Sequence, residues 1–312
     1  MTKYLVTGGA GFIGSNIVAE LLHQNQTVRV LDNFSTGRAI NLANVLADIE
    51  LIEGDLRDLD TCRRAVAGVD YVLHQAAIPS VPRSVDNPLA TNDVAVKGTL
   101  NMLIAARDAD VKRFVYASSS SVYGDSPQLP KQESMALLPK SPYAVAKLSG
   151  EYYTRIFAEV YGLETVCLRY FNVFGPRQDP ASPYSAVIPL FINSLLAGQS
   201  PTIYGDGRQS RDFTYVSNNV EANLLATTAP NVSGQVFNIA CGNRFSLLDL
   251  VNTLNDIIGT RIKPTFNMAR SADVKHSMAD IRLAQDCLGY QVKVNFKEGL
   301  TKTIAWYKEE HD

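Results

Sequence analysis

Tyr143 and Lys147 stand four residues apart in the stretch SPYAVAKLSGEYYTRIFAEVYG. Its apolar spacing predicts a helix, so both side chains leave the same face. Taken alone, such a pair is usually a surface contact. A tyrosine can nevertheless accept a proton from an alcohol if its pKa of ~10 falls by about three, a demand of roughly 4 kcal/mol. One positive charge about 5 Å away supplies around 3 kcal/mol at an effective dielectric of about 20, so Lys147 and one further cation meet that demand against some desolvation. The serines of SSSSVYG, residues 118–124, close a predicted strand that begins at Arg113. There Ser119 can hold a reacting oxygen in line with Tyr143 and donate a hydrogen bond as charge shifts. The alternative is a polar turn whose hydroxyls only satisfy backbone groups. His74 lies in an apolar strand with no carboxylate nearby, which suits a structural role better than a catalytic one. No spacing suggests a metal site, and no Ser-His-Asp arrangement stands out.

The source of a second cation is written at the start of the chain. TGGAGFIG at 7–14 follows the apolar run Lys3-Tyr4-Leu5-Val6 and is itself followed by Asp32. Gly9, Gly11 and Gly14 supply the tight turn, the close approach of backbone to a pyrophosphate and the helix–strand contact of a phosphate-cradling turn, and Gly8 belongs to the same turn. Phe12 to His23 reads as a helix whose free N–H groups and positive dipole end face the phosphates. Asp32 closes the next strand, where a carboxylate accepts from the adenosine ribose hydroxyls and repels a phosphate there, so NAD is expected rather than NADP. Its oxidised nicotinamide is the second cation.

These residues need a scaffold. Strand-like segments near 3–7, 27–32, 50–53, 71–75, 113–118 and 165–170 alternate with helical patterns, the signature of an α/β doubly wound parallel sheet of Rossmann type. The crevice of such a sheet lies beyond the carboxyl ends of its strands, where the loops Asp32–Thr36, Asp55-Leu56, Gln75–Ser80 and Ser118–Ser121 fall. Past Asn172, Gly175 and the prolines 176, 180, 183 and 189 break the rhythm. We expect a nucleotide-binding domain over 1–172, rejoined by a segment near 213–240, and a smaller α/β substrate domain over 173–312 that forms the other wall of the cleft. With 312 residues, 46% hydrophobic and 19% charged, each has material for a core. A formal charge of −2 offers no general attraction for nucleic acid or anionic membrane, so an anionic ligand needs locally placed cations. The four cysteines, Cys62, Cys167, Cys241 and Cys287, form no C-x-x-C pair and lie in apolar stretches. That composition, a strand beginning at residue 3 with no room for a signal peptide, and the lack of any stretch of transmembrane length lead to an expected cytoplasmic location.

TGGAGFIG, Asp32, SSSSVYG and Tyr143-x-x-x-Lys147 together resemble the extended short-chain dehydrogenase/reductase family, in particular its nucleotide-sugar 4-epimerases. LRYFNVFGPRQDP at 168–180, GDGRQSRDF at 205–213, FNIACG at 237–242 and ARSADVKHSMAD at 269–280 extend the resemblance through nearly the whole chain. It implies that Gly8, Gly11, Phe12, Ile13, Gly14, Asp32, Asn33, Ser35, Thr36, Gly37, Asp55, Leu56, Gln75, Ala76, Ala77, Asn92, Tyr143, Lys147 and Tyr170 contact NAD. It likewise implies that Asn172, Arg211, Arg270 and Asp273 hold a uridine diphosphate, with Val187, Thr202 and Tyr204 near the uracil; an Arg fork suits a diphosphate. The implied chemistry is a redox-neutral inversion at carbon 4 of the sugar, with the cofactor retained through turnover. The family's 4,6-dehydratases and uronate decarboxylases carry an acid within the loop that is SSSSVYG here, and no carboxylate is present.

Within that family, substrate choice is expected to rest on Ser277. Epimerases confined to sugars without an N-acetyl group carry a bulky aromatic at the matching position, and forcing extra atoms into a closed pocket costs ~1–3 kcal/mol. PSVPRS at 79–84, Gln178 and Ala186 also resemble the epimerases that prefer UDP-N-acetylhexosamines. Ser80, Arg83, Ser119, Ser120 and Gln178 then belong to the sugar pocket, with Ser80 and Gln178 neighbours of the acetamide. Ala272 and Val173 depart from the Gly and Pro that the family often shows there. UDP-uronate or UDP-N-acetylhexosaminuronate epimerisation is the rival reading, and a non-catalytic NAD-sensing protein is the alternative of another class. The resemblance also implies a homodimer, with helices around 92–109 and 143–160 pairing as a four-helix bundle.

Overall fold

The computed structural model describes residues 2–179, 186–268 and 275–309. Seven parallel strands form the central sheet: β1 (Lys3–Thr7), β2 (Thr27–Asp32), β3 (Ile49–Glu53), β4 (Tyr71–His74), β5 (Arg113–Ser119), β6 (Thr165–Tyr170) and a seventh, Gln235–Ile239. Their order is seventh, β6, β5, β4, β1, β2, β3. Leu5, Leu31, Val72 and Phe114 bury on one face of the sheet and Val6, Val30, Leu73 and Val115 on the other, each set with its own layer of helices. Successive residues of a strand point to opposite faces, so apolar runs such as Tyr4–Val6 require cover on both sides, which a parallel sheet has.

The strand order reverses between β1 and β4, and there the loops after β1, β2 and β4 diverge to leave a crevice. Helix α1 (Phe12–His23) starts at the mouth of this crevice, with Gly11 extended at its N-cap.

The seventh strand is a finding that the periodicity of the sequence did not reveal. Gln235–Ile239 pairs in parallel register with β6, Gln235 against Val166 through Ile239 against Tyr170. Its five residues sit 65 positions beyond the end of β6 in the chain, and a pairing that distant leaves no local signature. The helix expected around 92–109 is also different in detail. It is built from an α-helical turn, Pro88–Asn92, a π-helical turn, Asp93–Gly98, and a regular helix, Thr99–Asp108. A Cβ on Gly98 would lie 3.0 Å from Leu56 Cβ, so the widened turn brings bare backbone against the Asp55-Leu56 loop.

Beyond Asn172 the elements are short. Val173–Phe174 pairs with Thr214–Tyr215, Ser210–Arg211 with Phe245–Ser246, and Thr202–Tyr204 with Thr265–Asn267. With the helices Val187–Leu196 and Leu247–Ile258 they make a smaller α/β layer beside the crevice. Among the described residues no helix is long and apolar enough to cross a membrane, and no cluster of three or more His, Cys, Asp or Glu could hold a metal ion.

Candidate active site

A cleft of about 1430 Å³ runs along the carboxyl ends of the strands. Its floor at one end is the glycine turn. Gly8 is left-handed, with φ of 68°, and a Cβ there would lie 2.8 Å from Ala76 Cα; a Cβ on Gly14 would lie 2.2 Å from the Gly8 carbonyl oxygen. Side chains cannot occupy this cradle, and the open N–H groups at the start of α1 suit a pyrophosphate. Gly9 faces away, packing on Val30. Asp32 is buried and accepts from the backbone N–H of Ala10 and of Phe34, both at 2.9 Å, which fixes the carboxylate at the wall. Asn33 donates to Asp55 at 2.8 Å and Arg57 grips the same carboxylate, holding its pKa down to about 2.

Further along, Tyr170 donates to Gln75 Oε1 at 3.1 Å, and Asn223 donates to the Tyr170 hydroxyl at 2.7 Å while accepting from Gln75 at 2.9 Å. This closed triangle locks two side chains of the cleft wall.

Tyr143 lies in the first turn of the helix Pro142–Tyr161. Ser141 caps that helix by accepting from the Ala144 N–H at 3.2 Å, and Pro142, lacking an N–H, suits the next position. Tyr143, Lys147, Ser119 and Ser120 all line the cleft. Ser121 donates to Ser119 Oγ at 2.9 Å. Desolvation pushes the Tyr143 phenol above its ordinary value, and the Ser119 hydroxyl beside it pulls the other way. Lys147 donates to the Ala117 carbonyl at 2.7 Å, and burial lowers its pKa to about 8. Burial thus works against the charged form of both groups, raising the phenol and lowering the ammonium.

His74 is fully enclosed between Thr7 Oγ1, 2.8 Å from Nδ1, and Thr99 Oγ1, 3.1 Å from Nε2. Burial pushes its pKa down to about 3, so it is a neutral hydrogen-bonding link in the core.

At the other end of the cleft stand Ser80, Arg83, Asn172, Gln178, Ala186, Arg211 and Ser277. Ser80 has φ of 98°, an uncommon conformation for a residue with a Cβ, and caps the turn that carries Arg83. Ser277 is held by its N–H on the Ser210 carbonyl at 3.0 Å, and the Lys131 backbone bonds to the adjoining segment at Met278 and Asp280. Asp212 anchors this region from below. Burial raises its carboxyl to about 7 even as it accepts from the N–H groups of Cys241, Gly242 and Ala279. A smaller cavity of about 270 Å³ shares Asn172, Ala186 and Arg211 and adds Val187, Phe213 and Leu247.

Every sequence-derived cofactor residue lines the cleft except Gly9, which packs on Val30, and Asn92, which is exposed at the end of its helical turn while Val94, two residues on, lines it. Thr202 and Tyr204 line neither cavity; they lie on a small outer sheet, Thr202 bonded to Thr265. Arg270 and Asp273 lie outside the described residues. Sequence reasoning missed Arg38, Lys131, Arg177 and Asp179, all on the cleft wall. Arg177 and Asp179 sit inside the motif GPRQDP already singled out; Arg38 and Lys131 carry no signal.

This geometry, a dinucleotide cradle opposite a Tyr-Lys-Ser group in one cleft, has counterparts among known proteins. The profile of the NAD dependent epimerase/dehydratase family matches residues 4–240, and the chain belongs to that family. It is similar to a putative UDP-glucose 4-epimerase of Methanocaldococcus jannaschii, 40% identical over 97% of this chain and 98% of that one. Among solved structures it is similar to a UDP-N-acetylglucosamine 4-epimerase of Methanobrevibacter ruminantium in complex with UDP-N-acetylmuramic acid, 42% identical, with a TM-score of 0.94 over 99% of both chains. A UDP-glucose 4-epimerase of Thermotoga maritima with UDP-glucose is 35% identical, with a TM-score of 0.95 over the full length of both. Within the family, this chain is an NAD-dependent isomerase of the nucleotide-sugar 4-epimerase type. The reading as a non-catalytic NAD sensor is thereby set aside.

Proposed function

We propose that the protein interconverts UDP-N-acetylglucosamine and UDP-N-acetylgalactosamine, and also UDP-glucose and UDP-galactose, through a 4-keto sugar. The observation that carries the choice of an N-acetylated sugar is Ser277, a small side chain on the cleft wall together with Ser80 and Gln178. A bulky side chain there would fill the space that an acetamide needs.

In this reading the glycine turn, Asp32 and the loops after β2, β3 and β4 hold NAD. When bound, it would supply a hydride acceptor for carbon 4 and, in its oxidised form, a positive charge that adds to that of Lys147 beside the Tyr143 phenol. Tyr143 takes the proton of the 4-hydroxyl as the carbon–hydrogen bond breaks, and Ser119 donates a hydrogen bond to the same oxygen. Arg211 and Asn172 grip the diphosphate while Val187 and the small cavity receive the uracil. The ketone turns about that fixed anchor, and Tyr143 returns the proton once the opposite face has been reduced. Atoms and electrons balance over the cycle without a second substrate.

Lys131 and Arg83 on the same wall favour a second reading, epimerisation of a UDP-uronate or UDP-N-acetylhexosaminuronate, because a cation there suits a sugar carboxylate. Incubating purified protein with plain, N-acetylated and acidic UDP-sugars and resolving the products decides between them. We expect fastest turnover of the N-acetylated pair; faster turnover of an acidic sugar overturns the assignment.

We further propose a homodimer. The Pro142–Tyr161 helix exposes Val145, Tyr152, Ile156 and Val160, and Val85 and Leu89 are exposed on turns packed beside it. An apolar face of this extent suits burial against its own copy. The four cysteines are free thiols, and we place the protein in a reducing cytoplasm.

A further inference from the structure

Beneath the catalytic group lies a charged pair that the mechanism above does not use. Glu151 sits on the Pro142–Tyr161 helix one turn past Lys147 and two past Tyr143, on the same face. It is fully buried, as is its partner Arg169 on β6. Arg169 Nε donates to Glu151 Oε2 at 3.0 Å and Nη2 to Oε1 at 2.6 Å, and Ser118 donates to Oε2 at 2.9 Å. The remaining guanidinium nitrogen donates to the Tyr123 hydroxyl at 2.7 Å, and Tyr123 donates on to Asn238 at 2.7 Å. A buried pair of this kind is poor evidence for stability, since apolar residues of similar size often serve as well. Its place in the sheet suggests another use.

Ser118 and Arg169 are register partners across β5 and β6, and the next rung outward is Ser119 opposite Tyr170. Glu151 therefore holds both members of this rung, of which Ser118 already borders the cleft, and both members of the next rung outward, Ser119 and Tyr170, line it. Strand ends fray unless something ties them down. We propose that Glu151 is a positioning residue, a clamp on the Ser118–Arg169 rung that sets where Ser119 and Tyr170 stand relative to Tyr143 on the same helix. One carboxylate thus fixes the helix that carries the proton acceptor against the two strand ends that carry its neighbours. The kinetic consequence rests on the proposed role of Ser119; the structural one does not.

Ser118→Ala removes one bond and leaves the ion pair intact, so the fold is kept. Glu151→Gln is the stronger change, because it turns an acceptor into an amide donor facing Arg169. Two measurements on the NAD-loaded protein decide the matter. Hydrogen–deuterium exchange should quicken about fivefold, the worth of one hydrogen bond, at the ends of β5 and β6 in Ser118→Ala, while the glycine turn stays as protected as before. Turnover should fall with KM for the UDP-sugar little changed, and that loss should vanish when Ser119 is already alanine. Unaltered exchange at the two strand ends, or a loss that multiplies with that of Ser119→Ala, overturns the clamp. If the wild-type protein epimerised no UDP-sugar, the proposed function would fall, and the exchange measurement would still judge the clamp.

Discussion

The Lys147 ammonium donates to the carbonyl oxygen of Ala117 at 2.7 Å, inside a wall that lowers its pKa to about 8. A lysine ordinarily near 10.5 thus loses its charge in the folded protein well before it does in the unfolded chain. Between these two values the unfolded state binds the extra proton, so stability should rise with pH across that window. Activity should move the other way. With the charged form needed to support a Tyr143 phenolate, kcat at saturating substrate should decline above about pH 8, and a profile flat to about pH 10 would mean that the charge is not used.

Removing the Tyr143 hydroxyl tests the chemistry directly. In Tyr143→Phe, turnover should fall about 10²- to 10⁴-fold, the usual contribution of a positioned acid–base group, while the NAD content of the purified protein is kept. A variant that still turns over within about tenfold of the wild type would require another proton acceptor.

Ser277→Tyr should narrow the substrate range. Crowding the acetamide by ~1–3 kcal/mol lowers kcat/KM for UDP-N-acetylglucosamine roughly five- to 150-fold and spares UDP-galactose. Competing the two sugars in one reaction reads the ratio; an equal loss on both would show that position 277 is no gate.

Gly14→Ala should abolish cofactor loading, because the new methyl group would stand 2.2 Å from the Gly8 carbonyl oxygen and the turn must move to admit it. The absorbance of the purified variant reports its NAD content. Full loading would mean that the turn yields without harm to the cradle.

Ile156→Glu places a charge in the centre of the exposed apolar helix face without touching the core. Sedimentation should show a dimer for the wild type and a monomer for the variant. A monomeric wild type would leave the face for some other partner.

Much of this could be read from the residues alone, for physical reasons that differ from place to place. Helix α1 and the first six strands were legible because alternating apolar runs and a glycine turn are local signals. Ser119, Tyr143, Lys147 and the glycine turn fall in one cleft because parallel strands put all their carboxyl ends on one edge. What was hidden is what depends on distant pairing or on the field of the folded chain. The strand Gln235–Ile239 gains its identity only from β6. Lys131 reaches the cleft through a bridge to Met278–Asp280 that no spacing announces. The upward push on the Tyr143 phenol follows from its burial, which exists only once the chain is folded.

The late arrival of Gln235–Ile239 bears on how this polypeptide can be cut. Every residue of β6 is buried, and that strand is shielded on one side only by a segment translated long after it. A fragment ending at Asn172 would present β6 as a bare, sticky border, open to pairing with a second fragment. Expression of the amino-terminal portion by itself should therefore give aggregates, and any dissection of the protein has to carry the sequence through residue 239.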